Sequence, residues 1–370
     1  MKKRVVLAVT NDLSGDQRVH KVVMSLMKSG YETLLLGRKL DRSETLLRPY
    51  ACKRFKLLFN KGPFFYINYN FRLFIYLLFA KADIFLANDL DTLPAMFLAG
   101  KLRRKAIVYD SHEYFTEVPE LVDRPGIKRI WELIERLIFP RLTMVYTVNR
   151  SIADIYENKY GVPVRVVRNV PSETLTEPVP GILPDGFTSC PVIIYQGAVN
   201  IGRGLEEMIQ AMVFMQDIHF LIVGGGDIES QMKGLTESLG LHYRVYFAGR
   251  VPFQQLSWYT RQASIGMSLE QDIGLNYHYA LPNKLFDYMQ AGIPVIASGL
   301  PEIRRIVENA SIGIVVDRFD PEYLSQTVRS MLSNPELLQE WRKNAKKAAG
   351  DYTWEKEETE LLKFFPILEG

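Results

Sequence analysis

Residues 281–297 read LPNKLFDYMQAGIPVIA, and this stretch joins a short helical pattern to the strand pattern that follows it. Pro282 suits the first position of a helix, and Gly292 is typical of the position just after a helix ends. Val295–Ala297 is a short apolar run, which is typical of a buried strand. The stretch therefore predicts a helix from about Pro282 to Gln290 and a strand at Val295–Ala297, as in an α/β protein.

The same alternation of strand and helix patterns extends through most of the chain. The other predicted strands are Val5–Thr10, Thr33–Leu36, Asp83–Ala87, Ala106–Tyr109, Met144–Val148, Val192–Tyr195, Phe220–Val223, Arg244–Phe247 and Ile265–Leu269. Helical patterns lie between them at Asp16–Ser29, Lys128–Ile138, Ser151–Tyr160 and Gly204–Met215. Alternating strands and helices imply parallel sheets covered on both faces.

The alternation stops once, at residues 171–190, which are rich in Pro and Gly. We therefore expect two Rossmann-like, doubly wound domains at 1–170 and 191–350, joined by a linker at 171–190. The remaining residues, 351–370, are expected to form a terminal helix that returns to the first domain. Ligands of open α/β sheets bind beyond the carboxyl ends of the strands, so we expect the site in a cleft between the two domains.

Composition favours a globular protein with an anionic partner for its first half. Of 370 residues, 47% are hydrophobic and 24% are charged, which excludes a disordered or low-complexity chain. The two cysteines, Cys52 and Cys190, do not form a disulfide scaffold or a zinc site, and no signal peptide or membrane span is predicted, so we expect a cytoplasmic protein. Residues 1–165 carry 28 Lys and Arg against 17 Asp and Glu, a net charge of +11, and the remainder carries −8.

Within residues 281–297, Lys284 and Asp287 are the strongest candidates for binding or catalytic residues. A cation in the first turn of a helix is unfavourable to the helix dipole unless an anion lies nearby. Asp287 is three residues after Lys284, so both side chains project from one side of the predicted helix. This face could offer an ammonium to a phosphate and a carboxylate to sugar hydroxyls. The alternative is an exposed ion pair of little consequence.

Two loops of the first half also follow predicted strands. Gly15, at the start of a helix, would let a ligand approach the backbone, although Asp16 as a helix cap paired with Arg18 is an equally simple interpretation. His112 lies between carboxylates in the sequence Tyr-Asp-Ser-His-Glu at 109–113 and could bind an acceptor or handle a proton. A surface loop with a helix cap is the alternative there.

Three loops of the second half have the residues expected of a phosphate site. Gly197 follows a predicted strand, and Arg203 precedes the next predicted helix, an arrangement that suits a pyrophosphate. The glycines at 224–226 and the stretch Gly249-Arg250-Val251-Pro252 also follow strands. Tight βα turns and a solvated Arg203 are the alternatives.

The motif at 281–297 resembles the nucleotide-sugar site of family-four glycosyltransferases, the retaining, glycogen-synthase-like group with the GT-B fold. The resemblance extends over nearly the whole chain and is of the bacterial polysaccharide and lipopolysaccharide type. The other segments that carry it are Asn11-Asp12 with Asp16-Gln17-Arg18-Val19, Asn88-Asp89, Tyr109–Glu113 and Arg168-Asn169-Val170-Pro171.

The resemblance implies a role for each matching residue. On the donor side, the residues implied to bind the diphosphate are Arg203, Gly197, Asn283 and Lys284, with Gly15 across the cleft. Asp287 would bind the ribose. The backbone of Gly249 to Val251 would contact the base. Catalysis would involve His112 near the transferred sugar together with Arg203 and Glu270. The acceptor-side residues would be Asp16, Arg18, Asp110 and Glu113.

Three positions depart from the family pattern. The second acid of the family's E-x7-E motif is Asp287 rather than Glu, and the position of the first acid holds Tyr279. Glu270 is the candidate replacement for the missing acid. The family's common Arg after the first glycine of the second domain is Ala198 here.

The resemblance implies transfer of a sugar from a nucleoside diphosphate, UDP or GDP, to a glycan or lipid-linked acceptor with retention of configuration. Neither a cofactor nor a metal site is expected. Two alternatives stay open: a sugar-nucleotide epimerase of the same architecture, and a glycan-assembly scaffold with little or no turnover.

Residues 51–80 interleave cations with aromatic residues in the basic half. Aromatic side chains at a lipid interface and cations attracted to anionic headgroups would together make a peripheral membrane surface. The alternative is a buried helix at Asn70–Ala80 with solvated flanking lysines. A nucleic-acid surface is not expected, because no binding motif accompanies the charge.

Overall fold

The computed structural model describes residues 2–41, 43, 45–122, 124–173 and 177–365. The chain divides into two compact units, Met1–Asn169 with Lys356–Gly370 (unit 1) and Val170–Glu355 (unit 2). Each unit is built on one parallel sheet.

The sheet of unit 1 has seven strands in the order β3-β2-β1-β4-β5-β6-β7. They are β1 Arg4–Ala8, β2 Glu32–Lys39, β3 Ala51–Lys56, β4 Ile84–Asn88, β5 Ala106–Ser111, β6 Met144–Thr147 and β7 Val164–Val166. All neighbours pair in parallel, so the carboxyl ends of β1, β4 and β5 meet at one edge. The side chains that end these three strands are therefore brought together from distant parts of the sequence.

Helices cover this sheet at α1 Gln17–Lys28, α2 Gly62–Phe79, α3 Leu93–Arg103, α4 Pro119–Val122, α5 Pro125–Ile138 and α6 Arg150–Tyr160. The helix α1 follows β1 directly and begins where Asp16 caps it by accepting a hydrogen bond from Val19 N. Its buried face contains Val19, Val22, Val23 and Leu26, at the spacing of one helical side. Gly30, with φ of +86°, follows the helix and turns the chain toward β2.

The sheet of unit 2 has six parallel strands in the order β10-β9-β8-β11-β12-β13. They are β8 Val192–Gln196, β9 His219–Val223, β10 Val245–Gly249, β11 Ile265–Ser268, β12 Val295–Ser298 and β13 Gly313–Val316. Apolar clusters bury the sheet between its helices. The prediction of two doubly wound parallel sheets is confirmed.

The helices of unit 2 are α7 Leu205–Ala211, α8 Glu229–Ser238, α9 Phe253–Arg261, α10 Leu275–His278, α11 Asn283–Ala291, α12 Pro301–Ala310, α13 Pro321–Ser333 and α14 Pro335–Ala349. The motif at residues 281–297 forms α11 and β12, with Gly292 at φ of +67° between them. Leu285, Phe286 and Met289 bury α11 against the core, which fixes the direction of its polar side chains.

Two segments at the unit boundaries have defined contacts. Residues 177–190, for which the sequence predicts a linker, run along unit 2: Val179 N donates to Gln254 O, and Phe187 is buried. The predicted linker residues 174–176 lie outside the described residues. The last helix, α15 Trp354–Leu362, contributes Glu357 to unit 1, where its carboxylate accepts from Arg168 at 2.9 Å. In the described part of the chain, none of the helices has the length and apolarity needed to cross a membrane.

Candidate functional site

Two cations surround one buried carboxylate at the carboxyl end of the unit 2 sheet. Glu270 follows β11 and has no exposed surface; its Oε1 lies 2.8 Å from Lys284 Nζ and 3.6 Å from Arg203 Nη1. Its Oε2 accepts a 2.6 Å hydrogen bond from Ser268 Oγ. Burial raises the pKa of Glu270, but the charge of Lys284 and these hydrogen bonds outweigh burial and lower the pKa overall. Glu270 is therefore an ionised anchor between two cations.

Lys284 and Arg203 each also contact an aromatic ring. Lys284 Nζ lies 4.1 Å from the centre of the Tyr195 ring, and the Arg203 guanidinium lies 4.9 Å from that of Tyr277. Lys284 is nearly buried, whereas the Arg203 side chain is 26% exposed. The cation in the first turn of α11 therefore has its anionic partner within the protein, in Glu270.

The glycines beside this cluster bring backbone segments close together. Gly197 has φ of +134°, and a Cβ at this position would lie 3.8 Å from Lys284 Cε. Gly224 has φ of +142°, and a Cβ there would lie 1.8 Å from Gly197 O. Both positions therefore require glycine. The N–H of Gly197 donates to Val223 O, and that of Gly224 donates to Gly249 O, which ties together the ends of β8, β9 and β10.

Asp287 belongs to a separate chain of hydrogen bonds at the same edge. Its Oδ2 accepts from Gln196 Nε2 at 2.7 Å, and Gln196 Oε1 accepts from Thr260 Oγ1 at 2.7 Å. Asn283 is exposed at the start of α11, and Val251 is half-buried after β10. Lys284 and Asp287 thus extend from one helix to different partners, Glu270 and Gln196.

The corresponding edge of unit 1 holds a second buried charge cluster. The Asp110 carboxylate is fully buried and binds Arg18 through two hydrogen bonds, Nη2 to Oδ1 at 2.6 Å and Nε to Oδ2 at 3.1 Å. Arg18 Nη1 also donates to Val167 O at 3.0 Å. Burial opposes ionisation, but Arg18 and His112 outweigh it and lower the pKa of Asp110 to about 2. Arg18, predicted on the acceptor side, is a buried partner of Asp110 and is inaccessible to an acceptor.

Both ring nitrogens of His112 lie within hydrogen-bond distance of a carboxylate. Its Nδ1 lies 3.1 Å from Asp89 Oδ2, its Nε2 lies 3.1 Å from Asp110 Oδ2, and its backbone N donates to Asp89 Oδ1. Burial lowers the pKa of His112, but the two carboxylates outweigh burial and hold the pKa well above its ordinary value. The ring is an imidazolium that donates to two carboxylates. This arrangement argues against the predicted proton-handling role, because the ring has no lone pair left to accept a proton.

Asp89 was noted only as part of the segment Asn88-Asp89, with no role of its own, and Asp91 was not among the predicted site residues. Asp89 has a left-handed φ of +60°, an unfavourable conformation that persists where its surroundings enforce it. Asp91 is buried, and its Oδ2 accepts from Thr10 Oγ1 at 2.6 Å. Burial and the charge of Asp89 raise the pKa of Asp91 to about 7. Two carboxylates directly after a buried strand, in Asn-Asp-Leu-Asp at 88–91, were the signal that could have identified them.

Of the remaining predicted residues of unit 1, Gly15 and Asp16 lie in the loop after β1, and Glu113 lies in the loop after β5. Asp16 accepts from Val19 N and from Asn11 Nδ2, so it caps α1. Gly15 has open space where a Cβ would be, and Glu113 is half-buried after β5. Among the described residues, no group of three or more His, Cys, Asp and Glu side chains could hold a metal ion.

Most of each unit matches a known protein family. Residues 16–170 match the family described as Glycosyltransferase Family 4, and residues 187–348 match Glycosyl transferases group 1. The chain belongs to the family-four glycosyltransferases of GT-B fold. HepE of Anabaena, solved in complex with UDP-glucose, shares this fold with a TM-score of 0.74 and 14% identity over 99% of this chain and 100% of its own.

Curated relatives match part of the chain. Alpha-D-kanosaminyltransferase of Streptomyces kanamyceticus is 24% identical over 164 residues, which are 43% of this chain and 41% of the relative. The lipopolysaccharide core biosynthesis glycosyltransferase LpsD of Rhizobium meliloti is 26% identical over 146 residues, 40% of each chain. The chain thus spans about two fifths of the length of these relatives.

Proposed function

We propose that this glycosyltransferase moves a sugar from a nucleoside diphosphate donor, UDP or GDP, to a glycan or lipid-linked acceptor. The product belongs to cell-surface polysaccharide, and transfer retains the anomeric configuration. The protein works in the cytoplasm at the inner face of the membrane and needs no metal or other cofactor. The LpsD similarity and the UDP-glucose bound to HepE support the acceptor class and the donor class, respectively.

The cluster around Glu270 carries the proposal for the donor. Two cations and one carboxylate leave a net charge of +1 at the carboxyl ends of β8 and β11. Arg203 Nε is buried without a hydrogen-bond partner among the described residues. A diphosphate would supply the missing anion and accept from Arg203 and Lys284. Glu270, which has no exposed surface, acts as a positioning residue that holds these two cations.

Other residues of unit 2 orient the nucleoside. Asp287, fixed by Gln196, accepts from the ribose hydroxyls, and Gly249 to Val251 lie against the base. Gly197 acts by leaving room for the phosphates, because its own N–H is already bonded to Val223 O. Asn283 lies at the exposed start of α11, where the helix dipole favours an anion.

The transfer step exchanges one bond to the anomeric carbon for another. The bond from the anomeric carbon to the diphosphate oxygen breaks, and its electron pair leaves with the nucleoside diphosphate. The acceptor oxygen forms its bond on the same face, and its proton passes to the departing phosphate oxygen. Arg203 and Lys284 lower the barrier by stabilising the charge that develops on the leaving group.

His112 fits this step as a fixed cation. Its ring donates to Asp89 and Asp110, so a general base would have to be another group. The departing phosphate serves as that base in the step above. In unit 1, the exposed Gly15 is the candidate for contact with the donor phosphates, and the half-buried Glu113 is the candidate for contact with the acceptor.

A thermal-unfolding screen with UDP, GDP, ADP, CMP and TDP tests the donor site first. A nucleotide that binds the folded state at about 100 times its Kd adds roughly 2.7 kcal/mol of stability. We expect this effect from UDP or GDP. Titration calorimetry of that nucleotide should then give affinities at least about tenfold weaker for Arg203→Gln and Lys284→Met, because a hydrogen bond to a charged group contributes about 1.5–3 kcal/mol.

Lys233→Gln is the matched control, because Lys233 forms an exposed pair with Glu229 on α8. Its affinity should equal that of the unaltered protein. No stabilisation by any of the five nucleotides, or unchanged binding in both site variants, would refute the donor site. The anomeric configuration of the product, read by NMR after incubation with the matching nucleotide sugar and an acceptor, tests retention.

A further inference from the structure

The outward face of α2 is apolar along its whole length. Phe64, Ile67, Phe71, Ile75 and Phe79 are all exposed, from 41% at Ile75 to 83% at Phe79. Their spacing of three and four residues places them on one side of the helix. A continuous exposed apolar stripe of this kind is typical of an interaction surface rather than of ordinary solvent-exposed surface.

The other side of α2 is already used, so the helix cannot rotate to bury this stripe. Tyr69, Leu73 and Leu77 have no exposed surface. Tyr69 Oη donates to Val9 O at 2.5 Å, and Asn70 Nδ2 donates to Asp91 O at 2.7 Å. The inner face of α2 therefore contacts the carboxyl ends of β1 and β4, beside the charge cluster of unit 1.

The two neighbouring helices expose apolar residues as well. On α3, which packs against α2, Leu98 and Leu102 are exposed one turn apart. On α5, which contacts α2 through the rings of Tyr66 and Trp131, the exposed residues are Ile130, Leu133 and Leu137. We call these side chains, together with the stripe of α2, the apolar platform.

The charges around the apolar platform are mostly positive. Residues 62–79 and 93–103 contain no Asp or Glu, and their charged residues are Arg72, Lys101 and Arg103. Lys61 is exposed just before α2, and Arg129 and Arg136 are exposed on α5 beside the half-buried Glu132. Apolar side chains that insert between lipids, surrounded by cations that attract anionic headgroups, are the two components of peripheral membrane binding.

We propose that the apolar platform is the surface on which this protein docks to an anionic lipid bilayer. This inference rests on the proposed function, in which the acceptor is lipid-linked, and it names the surface that meets the lipid. Phe71 would contact the lipid, and the neighbouring Asn70 donates to Asp91 O in the loop after β4, so the docked protein holds this loop within about one helix diameter of the headgroups.

Vesicle co-sedimentation of the full chain tests the proposal. Mixed phosphatidylcholine–phosphatidylglycerol vesicles should bind the protein, and pure phosphatidylcholine vesicles should bind it much more weakly. Ile67→Ser/Phe71→Ser should weaken binding to the mixed vesicles at least about tenfold, since each side chain loses its burial in lipid. Arg72→Gln/Lys101→Gln should weaken it by about fivefold per cation, an effect that added salt suppresses.

The double variant Ile182→Ser/Tyr243→Ser is the control, because both side chains are about as exposed but lie in unit 2. It should bind vesicles like the unaltered protein. Equal binding to both vesicle types, or unchanged binding by Ile67→Ser/Phe71→Ser, would overturn the proposal. A dimer in sedimentation velocity that Ile67→Ser/Phe71→Ser dissociates, without vesicle binding, would overturn it in favour of a second copy. Nucleotide affinity should be measured on the same variants. Because the apolar platform lies outside unit 2, this affinity tests the proposed donor site separately from docking to the membrane.

Discussion

Each unit places a fully buried carboxylate between two cations at the carboxyl end of its parallel sheet. The carboxylate is Asp110 in unit 1 and Glu270 in unit 2. In both cases burial disfavours ionisation, and the neighbouring cations lower the pKa below its ordinary value. The two clusters differ in the charges that surround this common arrangement.

The cluster in unit 1 is balanced. Arg18 and His112 face Asp110, and a second carboxylate, Asp89, engages the other side of the His112 ring. Two cations and two anions leave no net charge among these four residues. The charged groups of this cluster therefore neutralise each other, and they leave little attraction for a further ion.

The cluster in unit 2 is one anion short. Lys284 and Arg203 share Glu270, and the Arg203 side chain retains a buried Nε and an exposed portion. Under the proposed function, the same arrangement fixes a scaffold where the charges balance and binds an anion where a positive charge is left over.

The largest effect is expected from breaking the balanced cluster with Asp110→Asn. Arg18 stays charged at any accessible pH and would lose its buried partner. Removing one partner of a buried pair costs about 3–5 kcal/mol, so we expect the free energy of unfolding in urea to fall by this amount. Asp154→Asn, which breaks an exposed pair with Arg150, should cost less than about 1 kcal/mol. A similar small loss for both variants would mean that Asp110 does not anchor unit 1.

A ligand-dependent effect is expected from Glu270→Gln. This change leaves Lys284 and Arg203 without their buried anion, but the Arg203 side chain is 26% exposed and can be hydrated, so the loss of stability should be smaller than for Asp110→Asn. A nucleoside diphosphate can replace the missing charge. At about 100 times its Kd the nucleotide adds roughly 2.7 kcal/mol to any variant that binds it as the unaltered protein does. Asp110→Asn should gain this amount. Glu270→Gln should gain more, because its two cations lack their internal carboxylate and attract the diphosphate more strongly.

The measurement is thermal unfolding of both variants and the unaltered protein, with and without the nucleotide that the screen identifies. At the same nucleotide concentration, the rise in Tm should be larger for Glu270→Gln than for Asp110→Asn and for the unaltered protein. An equal rise in the two variants would remove the distinction between an anion-binding cluster and a self-contained one.

The sequence predicts the fold well where strands are buried on both faces and less well elsewhere. The apolar run at Val5–Thr10 corresponds to β1, Arg4–Ala8, because a central parallel strand has to be apolar on both sides. The edge strand β3, Ala51–Lys56, was missed because Phe55 is its only buried residue and Lys53 and Lys56 are exposed. Its segment was instead interpreted as part of a membrane surface, and the exposed apolar residues belong mainly to the helix that follows.

The sequence predicts the residues of the site better than their partners. Arg18 was predicted on the acceptor side, with pairing to its neighbour Asp16 as the alternative, yet it binds Asp110, which is 92 positions away. Lys284 was expected to need a bound anion, and Glu270 supplies one from 14 positions away. Parallel sheets assemble a site from strand ends that are distant in sequence, so spacing along the chain identifies such residues only one strand at a time.

The last expected effect is a pH dependence of the stability of unit 1. Asp91 has a pKa of about 7 in the folded protein, well above the value of about 3.9 in an unfolded chain. Its raised pKa therefore favours folding below about pH 4, and this contribution is lost as pH rises to about 7. Asp91→Asn removes the charge but keeps an oxygen that accepts from Thr10. A difference of about 3 pKa units corresponds to at most about 4 kcal/mol above both pKa values. We therefore expect little change in the free energy of unfolding at pH 4.5 and a gain of up to this size at pH 8, measured in urea at both values. Nucleotide affinity should not change, because Asp91 lies in unit 1. A loss of stability at pH 8 would mean that the ionised carboxylate is stabilised by His112 and that the unit 1 cluster includes Asp91.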